Sequence, residues 1–220
     1  MSFEQKGQYR WVVCALLFFA TTVNYIDRQI LALIKEFLDA ELGWSNATFG
    51  WVNGAFQLSY AVGLLFFGWF VDRFGTKIGY ATSIVLWSIA AMSHALVGSV
   101  NGFFAARVFL GVSEGGNFPA AIKAVALWFP KKERAFATAI FNAGTNVGAI
   151  IAPAMIPAIA LTFGWRWAFI LAGLAGFVWL FFWFPMYEVP EKRKNLTRAA
   201  SGAGPWAGPA PSSCRRRGRS

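Results

Sequence analysis

The chain has 220 residues, of which 57% are hydrophobic, 18% are aromatic and only 14% are charged. Soluble proteins carry about 25% charged residues on average, so this composition excludes an ordinary soluble domain and indicates a membrane protein. The formal net charge of +10 would suit a nucleic-acid-binding protein, but five of the 20 basic residues follow residue 196. The remaining excess of basic residues lies mainly in the predicted loops, as membrane topology requires. We therefore expect no nucleic-acid partner.

Six apolar segments are each long enough to cross about 30 Å of hydrocarbon as a helix. The first is too long for a cleavable signal peptide and contains two charged residues, so we expect it to remain as a span. The sequence therefore predicts an all-α integral membrane protein with six transmembrane helices. The six segments are residues 11–34, 47–71, 78–97, 102–126, 135–161 and 167–187.

Basic residues in the connecting segments predict the orientation of the spans. On one side of the membrane the loops hold only Lys35 and Arg166, whereas the other side holds the remaining loop Lys and Arg residues. By the positive-inside rule both termini are expected to be cytoplasmic. We predict a cytoplasmic N-terminus over 1–10, a six-span bundle over 11–187 and a cytoplasmic linker over 188–196.

The segment 197–220 differs in composition from the rest of the chain. Ala, Gly, Pro, Ser and Arg fill 21 of its 24 positions, so it is expected to be a disordered basic tail. GC-rich codons encode these residue types, and we therefore expect that the native reading frame is lost near residues 196–198. Translation of the other frames downstream tests this expectation, and the absence of further hydrophobic spans there would contradict it.

Two of the apolar spans contain ionisable residues. Asp27 and Arg28 lie in the first span, and Arg107 and Glu114 lie in the fourth. An ionisable side chain at the centre of a bilayer costs about 3 kcal/mol on insertion scales, so such residues are usually paired and functional. Two acid–base sets on two spans predict a carrier that moves a charged solute. The alternative is a static ion-pair network that holds the helices together.

The chemistry of these side chains suits a carrier of anions. The planar guanidinium of Arg28 is able to bind a carboxylate through two hydrogen bonds, which a lysine does less well. Glu114 lies near the middle of its span, where a low dielectric disfavours the charged carboxylate. A carboxyl group that takes up a proton easily is what a proton-coupled carrier needs. Arg107 and Glu114 are two helical turns apart and therefore share a face.

The loop between the second and third spans contains a glycine-rich charged motif. It resembles the signature loop of the major facilitator superfamily, in which this loop has a role in conformational gating. Its glycines are expected to allow a tight turn and close helix approach, and its acid is expected to pair with a cationic neighbour. Ile78 departs from the pattern, because a second basic residue is usual there. The motif residues are Gly68, Asp72, Arg73, Gly75 and Lys77.

Two further motifs sharpen the resemblance over about residues 8–196. The run Asn24-Tyr25-Ile26-Asp27-Arg28 and the run from Arg107 through Glu114 to Pro119 resemble motifs of the anion:cation symporter family, especially its bacterial hexuronate and sugar-acid transporters. The resemblance implies the N-terminal half of such a fold. It implies that Arg28 binds the substrate carboxylate and that Asp27 and Glu114 couple protons. Arg107 would act as an electrostatic partner.

Polar residues on span faces are candidates for binding sugar hydroxyl groups. Tyr60 and Asn146 are the favoured ones, ahead of Gln57, Asn142 and Thr145. His94, the single histidine of the chain, is expected to be a packed or interfacial residue, and Lys123 is expected to reach the membrane interface. The sequence shows no metal cluster, nucleophile–base set or phosphate loop, so we expect neither an enzyme nor a cofactor.

We therefore predict a proton-coupled symporter of an organic anion, with a hexuronate or related sugar acid as the first candidate. Another carboxylate, aromatic or tartrate-like, remains an alternative, as does a non-transporting six-span interaction protein. The expected location is the inner membrane of a bacterium. Six spans correspond to two inverted three-span repeats, which form half of such a carrier. The chain is expected to be truncated and inactive alone, and to need the missing C-terminal half or a second copy.

Overall fold

The computed structural model describes residues 3–188, which form eight α-helices and one 3₁₀ turn, with no strand among them. The predicted tail over 197–220 and nearly all of the predicted linker over 188–196 lie outside the described residues. The helices are α1 (Phe3–Leu33), α2 (Lys35–Leu42), α3 (Asn46–Phe74), α4 (Thr76–Ser93), α5 (Val100–Glu114), α6 (Asn117–Trp128), α7 (Arg134–Phe163) and α8 (Trp165–Met186), with the 3₁₀ turn (His94–Leu96) after α4.

Five of the helices in residues 3–188 are long and apolar enough to cross a membrane, namely α1, α3, α4, α7 and α8. The predicted all-α membrane fold is confirmed. The predicted fourth span, 102–126, is not one continuous helix. It consists of α5, with 15 residues, and α6, with 12 residues, which are separated by Gly115 and Gly116. Neither helix reaches the length of about 20 residues that a span needs, so the two together take the place of one span.

Close packing explains why two glycines interrupt this span. A Cβ atom on Gly115 would meet the backbone of Gly63 in α3, and a Cβ atom on Gly116 would lie 2.9 Å from the Phe67 ring. Only glycine allows α3 to approach this closely. The backbone discontinuity directly follows Glu114, which places this carboxylate at the C-terminal end of α5.

Serine and glycine residues define the ends of the helices. The Ser45 side chain accepts a hydrogen bond from the Thr48 amide at 3.1 Å at the start of α3, as an N-cap. Gly75 and Gly164 have φ values of +85° and +93°, which side chains rarely adopt. Each of these glycines links two long helices by a single residue, α3 to α4 and α7 to α8, so the chain reverses sharply at both.

Glycine-mediated contacts set the direction in which the helices pair. Gly144 and Gly148 of α7 pack against α1, and a Cβ on Gly148 would lie 2.8 Å from the Thr22 carbonyl oxygen. The small-residue pair noted in the sequence therefore marks a close helix contact. The contacts rise together in sequence number, so α1 and α7 are parallel. Gly111 of α5 packs on Phe56 of α3 in the same parallel manner.

The third main pairing, between α4 and α8, is antiparallel. Tyr80 near the start of α4 packs on Trp183 near the end of α8, with ring centres 5.2 Å apart. Further along α4, Ser88 faces Gly173, where a Cβ would lie 2.6 Å from the serine carbonyl oxygen. Two parallel pairs and one antiparallel pair are what a two-fold relation between α1–α4 and α5–α8 requires. The division into inverted repeats stays a prediction.

Ion pairs lie at both ends of the bundle. At the end where α3 meets α4, Arg10 pairs with Glu133 at 2.8 Å. At the opposite end, the carboxylate of Glu41 accepts hydrogen bonds of 2.6 Å from the Trp165 indole and of 2.6 Å from the Arg166 guanidinium. These contacts tie α2 to the start of α8. Which end faces the cytoplasm stays a prediction from the distribution of basic residues.

Replacing Gly111 by alanine is expected to destabilise the bundle. The added Cβ would lie 2.6 Å from the Phe56 carbonyl oxygen and 3.1 Å from the Tyr60 amide nitrogen, so α3 and α5 would have to separate. We expect a loss of about 2 kcal/mol in the free energy of unfolding, measured in lipid nanodiscs. Gly54→Ala is the control, because nothing lies within 4 Å of its added Cβ. Equal stability of the two variants would contradict this packing.

The contact of Glu41 predicts a dependence of stability on pH. Hydrogen bonds from Trp165 and Arg166 lower the pKa of Glu41 below its ordinary value of 4.5. A lowered folded-state pKa contributes stability above the ordinary pKa, and that stability is lost as pH falls through the lowered value. Thermal unfolding of Glu41→Gln should therefore depend less on pH between about 6 and 3 than unfolding of the unmodified chain. The exposed Glu36 provides the control, since Glu36→Gln should leave this dependence unchanged.

Candidate functional site

Two helices bring the four predicted charges of the spans together. Arg28 on α1 donates from Nε to Oε2 of Glu114 on α5 at 2.7 Å, although 86 residues separate them in sequence. The Glu114 side chain is 0% exposed and the Arg28 side chain is 23% exposed. Arg28 is therefore the member of this pair that a ligand is able to reach. Asn24, one turn before Arg28, is buried and also interacts with Glu114.

Asp27 and Arg107 form the deeper part of the cluster. Both residues are 1% exposed, and their opposite charges attract each other. Within residues 3–188, neither carboxylate oxygen of Asp27 has a hydrogen-bond partner, and neither do Nε and Nη2 of Arg107. Buried charges that lack hydrogen bonds are costly.

Aromatic side chains of α3 complete the site. The Tyr60 ring centre lies 4.0 Å from Cζ of Arg28. Phe56, one turn earlier, contacts both arginines, with its ring centre 5.5 Å from Cζ of Arg28 and 5.5 Å from Cζ of Arg107. The sequence indicated Tyr60 as a ligand for sugar hydroxyls, but its ring face is covered by Arg28. Phe56 was not singled out, because an apolar residue in an apolar span carries no signal of its own.

The other predicted hydroxyl-binding residues do not join this cluster by any described contact. Asn146 on α7 is exposed and makes no side-chain hydrogen bond within the part of the chain that the structure describes. Gln57 and Asn142 are also exposed. The Thr145 hydroxyl donates to the Asn142 carbonyl at 2.7 Å and is satisfied within its own helix. Asn146 remains a candidate ligand because its side chain is exposed, although no described contact places it beside Arg28.

The signature loop has one contact that the sequence did not predict. Lys123 of α6 donates to the carboxylate of Asp72 at 2.8 Å and to the Val71 carbonyl at 2.9 Å. Asp72 therefore has the cationic neighbour expected of it. Lys123 was expected only to reach the interface, and that expectation was incomplete. Its amine instead holds the last turn of α3, where the negative end of the helix favours a cation.

The remaining loop residues have different environments. Gly75 adopts a φ of +85° and forms the expected tight turn. A Cβ atom added to Gly68, in contrast, would have nothing within 4 Å among the described residues. The expectation of a close helix approach at this position is therefore wrong. Lys77 pairs with Glu188 at 2.9 Å, and Arg73 is exposed at the end of α3. The gating role of the loop stays a prediction.

His94 is a packed residue, as expected. It is fully buried, its ring stacks on Phe169 with 4.7 Å between centres, and Nδ1 lies 2.8 Å from the Ala90 carbonyl oxygen. Because that oxygen only accepts hydrogen bonds, Nδ1 carries the proton.

Comparisons with known proteins assign the family. The family model described as Major Facilitator Superfamily matches residues 17–218. The chain belongs to the major facilitator superfamily. The predicted resemblance is thereby confirmed, and the buried charge cluster lies within the matched region.

Curated relatives are named for sugar acids. The chain is 36% identical over 188 residues to the hexuronate transporter of Escherichia coli K12, covering 86% of this chain and 44% of that protein. It is 31% identical over 195 residues to the galacturonate transporter of Dickeya chrysanthemi, covering 89% of this chain and 56% of the relative. The chain thus spans about half the length of the relatives it matches. Both are named as transporters, which agrees with the expectation that this chain is not an enzyme.

Solved structures show the same fold. The proton:xylose symporter XylE bound to 6-bromo-6-deoxy-D-glucose matches with a TM-score of 0.76 at 16% identity, over 89% of this chain and 49% of that one. A bacterial homologue of the human lysosomal transporter Spinster matches with a TM-score of 0.74 at 23% identity, over 83% of this chain and 45% of that one. At these identities the likeness establishes the architecture of the bundle.

Removing the amine of Lys123 is expected to loosen the end of α3. Lys123→Ala deletes both the contact to Asp72 and the contact to the Val71 carbonyl, so the free energy of unfolding should fall by about 1 kcal/mol. Adding Asp72→Asn to Lys123→Ala should have little further effect, because the pair is already broken. Lys132→Ala, at an exposed position, is the control. Additive losses in the double variant would contradict direct pairing.

Proposed function

We propose that this chain is the N-terminal half of a carrier that moves a sugar acid together with a proton across the inner membrane of a bacterium. A hexuronate is the first candidate substrate. The identity to the E. coli hexuronate transporter supports this class of substrate. In this proposal both termini are cytoplasmic, and transport requires a second half or a second copy.

The observation that carries the proposal is the balance of charge in the cluster. Asp27, Arg28, Arg107 and Glu114 sum to zero when all four are ionised. A substrate carboxylate that binds Arg28 would add one negative charge to a buried site. At about 4 Å and an effective dielectric near 20, one unbalanced charge is worth about 4 kcal/mol. Protonation of one carboxylate restores neutrality, so anion and proton are expected to bind together.

The geometry suits Arg28 for the substrate and Glu114 for the proton. Glu114 accepts from Nε of Arg28 and Tyr60 also hydrogen-bonds this side chain, but a guanidinium has five N–H donors, so N–H groups of its terminal nitrogens remain for a substrate carboxylate. Glu114 accepts the hydrogen bond from Arg28, and a substrate carboxylate would compete with Glu114 for that guanidinium. A proton on Glu114 would weaken its hold on Arg28 and free that guanidinium for the substrate. Asp27, balanced by Arg107, is the second candidate for proton coupling.

A second class of substrate has one specific observation in its favour. The chain is 31% identical over 219 residues to a protein named as the probable sulfoacetate transporter of Cupriavidus necator. A small acid without sugar hydroxyl groups would need only the cationic part of the site. Uptake assays should therefore include sulfoacetate and an aromatic acid beside glucuronate and galacturonate. Preferential uptake of either acid would assign the site to that class of anion.

Replacing Arg28 by lysine should abolish most substrate uptake. Lysine keeps the charge but loses the planar fork, so the bidentate contact with a carboxylate is lost. Uptake of labelled glucuronate would be measured in cells that express this chain with the C-terminal half of the E. coli hexuronate transporter. We expect at least a tenfold reduction for Arg28→Lys and none for Lys132→Ala, matched for protein level. Equal uptake by the two variants would reject the ligand role of Arg28.

Replacing Glu114 by glutamine should uncouple the transport of the anion from the transport of the proton. The amide is uncharged at every pH, so uptake driven by a pH gradient should fall at least tenfold. Exchange of labelled for unlabelled glucuronate needs no net proton movement and should persist. The same cells and control variant serve for this measurement. Gradient-driven uptake at the unmodified level would show that Glu114 does not couple the proton.

A further inference from the structure

Phe56 contacts both arginines of the charge cluster. Its ring centre is 5.5 Å from Cζ of Arg28 on one helix and 5.5 Å from Cζ of Arg107 on another. The ring is 5% exposed and nearly parallel to the Tyr60 ring, with an interplanar angle of 15° and 6.2 Å between centres. One buried aromatic ring is therefore within cation–π distance of both positive charges.

The backbone around Phe56 fixes the position of this ring. Its carbonyl oxygen accepts a hydrogen bond from the Ser59 hydroxyl at 2.9 Å. A Cβ on Gly111 of α5 would lie 2.6 Å from the same oxygen, so α3 and α5 are in direct backbone contact at this level. The ring consequently has little freedom to move away from either arginine.

The electrostatic consequence of this placement follows from the charge distribution of a benzene ring. Two guanidinium groups repel each other, whereas the negative face of an aromatic ring attracts each of them. A leucine or methionine at the same position would fill similar space without that attraction. Phe56 therefore attracts both Arg28 and Arg107. Tyr60 adds a second ring on the Arg28 side, at 4.0 Å.

We propose that Phe56 is a positioning residue that holds Arg28 against Glu114. Held in this way, Arg28 keeps Nε on Glu114 and leaves terminal N–H groups for an incoming carboxylate. The consequence for transport rests on the proposed function. The positioning of Arg28 itself does not, because it concerns the free chain.

The test compares Phe56→Leu with Phe56→Tyr, the variant that keeps the ring. The first measurement needs no substrate: hydrogen exchange of the Arg28 Nε–H, followed by NMR on the chain in nanodiscs and assigned through the loss of its signal in Arg28→Lys. Phe56→Leu should speed this exchange at least fivefold, because Arg28 is no longer held on Glu114, and Phe56→Tyr should not. Thermal unfolding of both variants confirms that the bundle is intact.

The second measurement is the concentration dependence of glucuronate uptake. Phe56→Leu should raise KM about fivefold to thirtyfold with a smaller change in maximal rate. Phe56→Tyr should leave KM at the value of the unmodified chain. Unchanged exchange in Phe56→Leu, or equal exchange in the Leu and Tyr variants, would overturn the inference. If cells that express the chain with the C-terminal half take up no anion but the chain shows the expected exchange, the proposed function is rejected and the role of Phe56 stands.

Discussion

Charge neutrality in a low-dielectric interior is the constraint on which the rest of this structure depends. Three buried ionisable side chains, Asp27, Arg107 and Glu114, lie with the partly exposed Arg28 within one bundle of membrane helices, two acids and two bases. None of them would be tolerated alone, because an isolated charge at this depth is costly. Together they sum to zero, and one of them, Arg28, is accessible. In the proposed carrier, a carboxylate that binds Arg28 would add one negative charge, which protonation of an acid of the cluster would balance.

Close helix contacts position the helices that carry these charges. Parallel packing of α3 on α5 requires glycine at Gly111 and Gly115, and that contact sets Phe56 beside Arg107 of α5. Parallel packing of α1 on α7 through Gly144 and Gly148 uses the face of α1 that carries Thr22 and Tyr25, and Asp27 lies on the opposite face of that helix. The interruption after Glu114 ends α5 inside the bundle. Interrupted helices at the level of a buried charge are a feature of transporter sites.

The sequence predicted the parts of the site that carry a local signal. Charges in apolar runs identified Asp27, Arg28, Arg107 and Glu114, and the hydropathy pattern predicted the spans. The pairing of Arg28 with Glu114 in particular was not predictable, since 86 residues separate them and the pairing depends on which helices become neighbours.

Other features were missed because the sequence does not distinguish the residues concerned from others of the same type. Phe56 is one of 23 phenylalanines, and nothing in the sequence marks it as one that contacts two arginines. Lys123 has the appearance of any lysine at the end of a span, yet it binds the end of α3. Gly68 belongs to a glycine motif but has no close neighbour among the described residues. Each of these outcomes is decided by tertiary packing.

Proton uptake on substrate binding is the measurement that tests the central claim most directly. The purified chain in nanodiscs would receive glucuronate in weakly buffered solution while a pH indicator records the protons taken up. The account predicts uptake of about one proton for each glucuronate bound, because the cluster gains one negative charge. It also predicts that Glu114→Gln largely removes this proton uptake. Binding of glucuronate without any proton uptake by the unmodified chain would contradict the account.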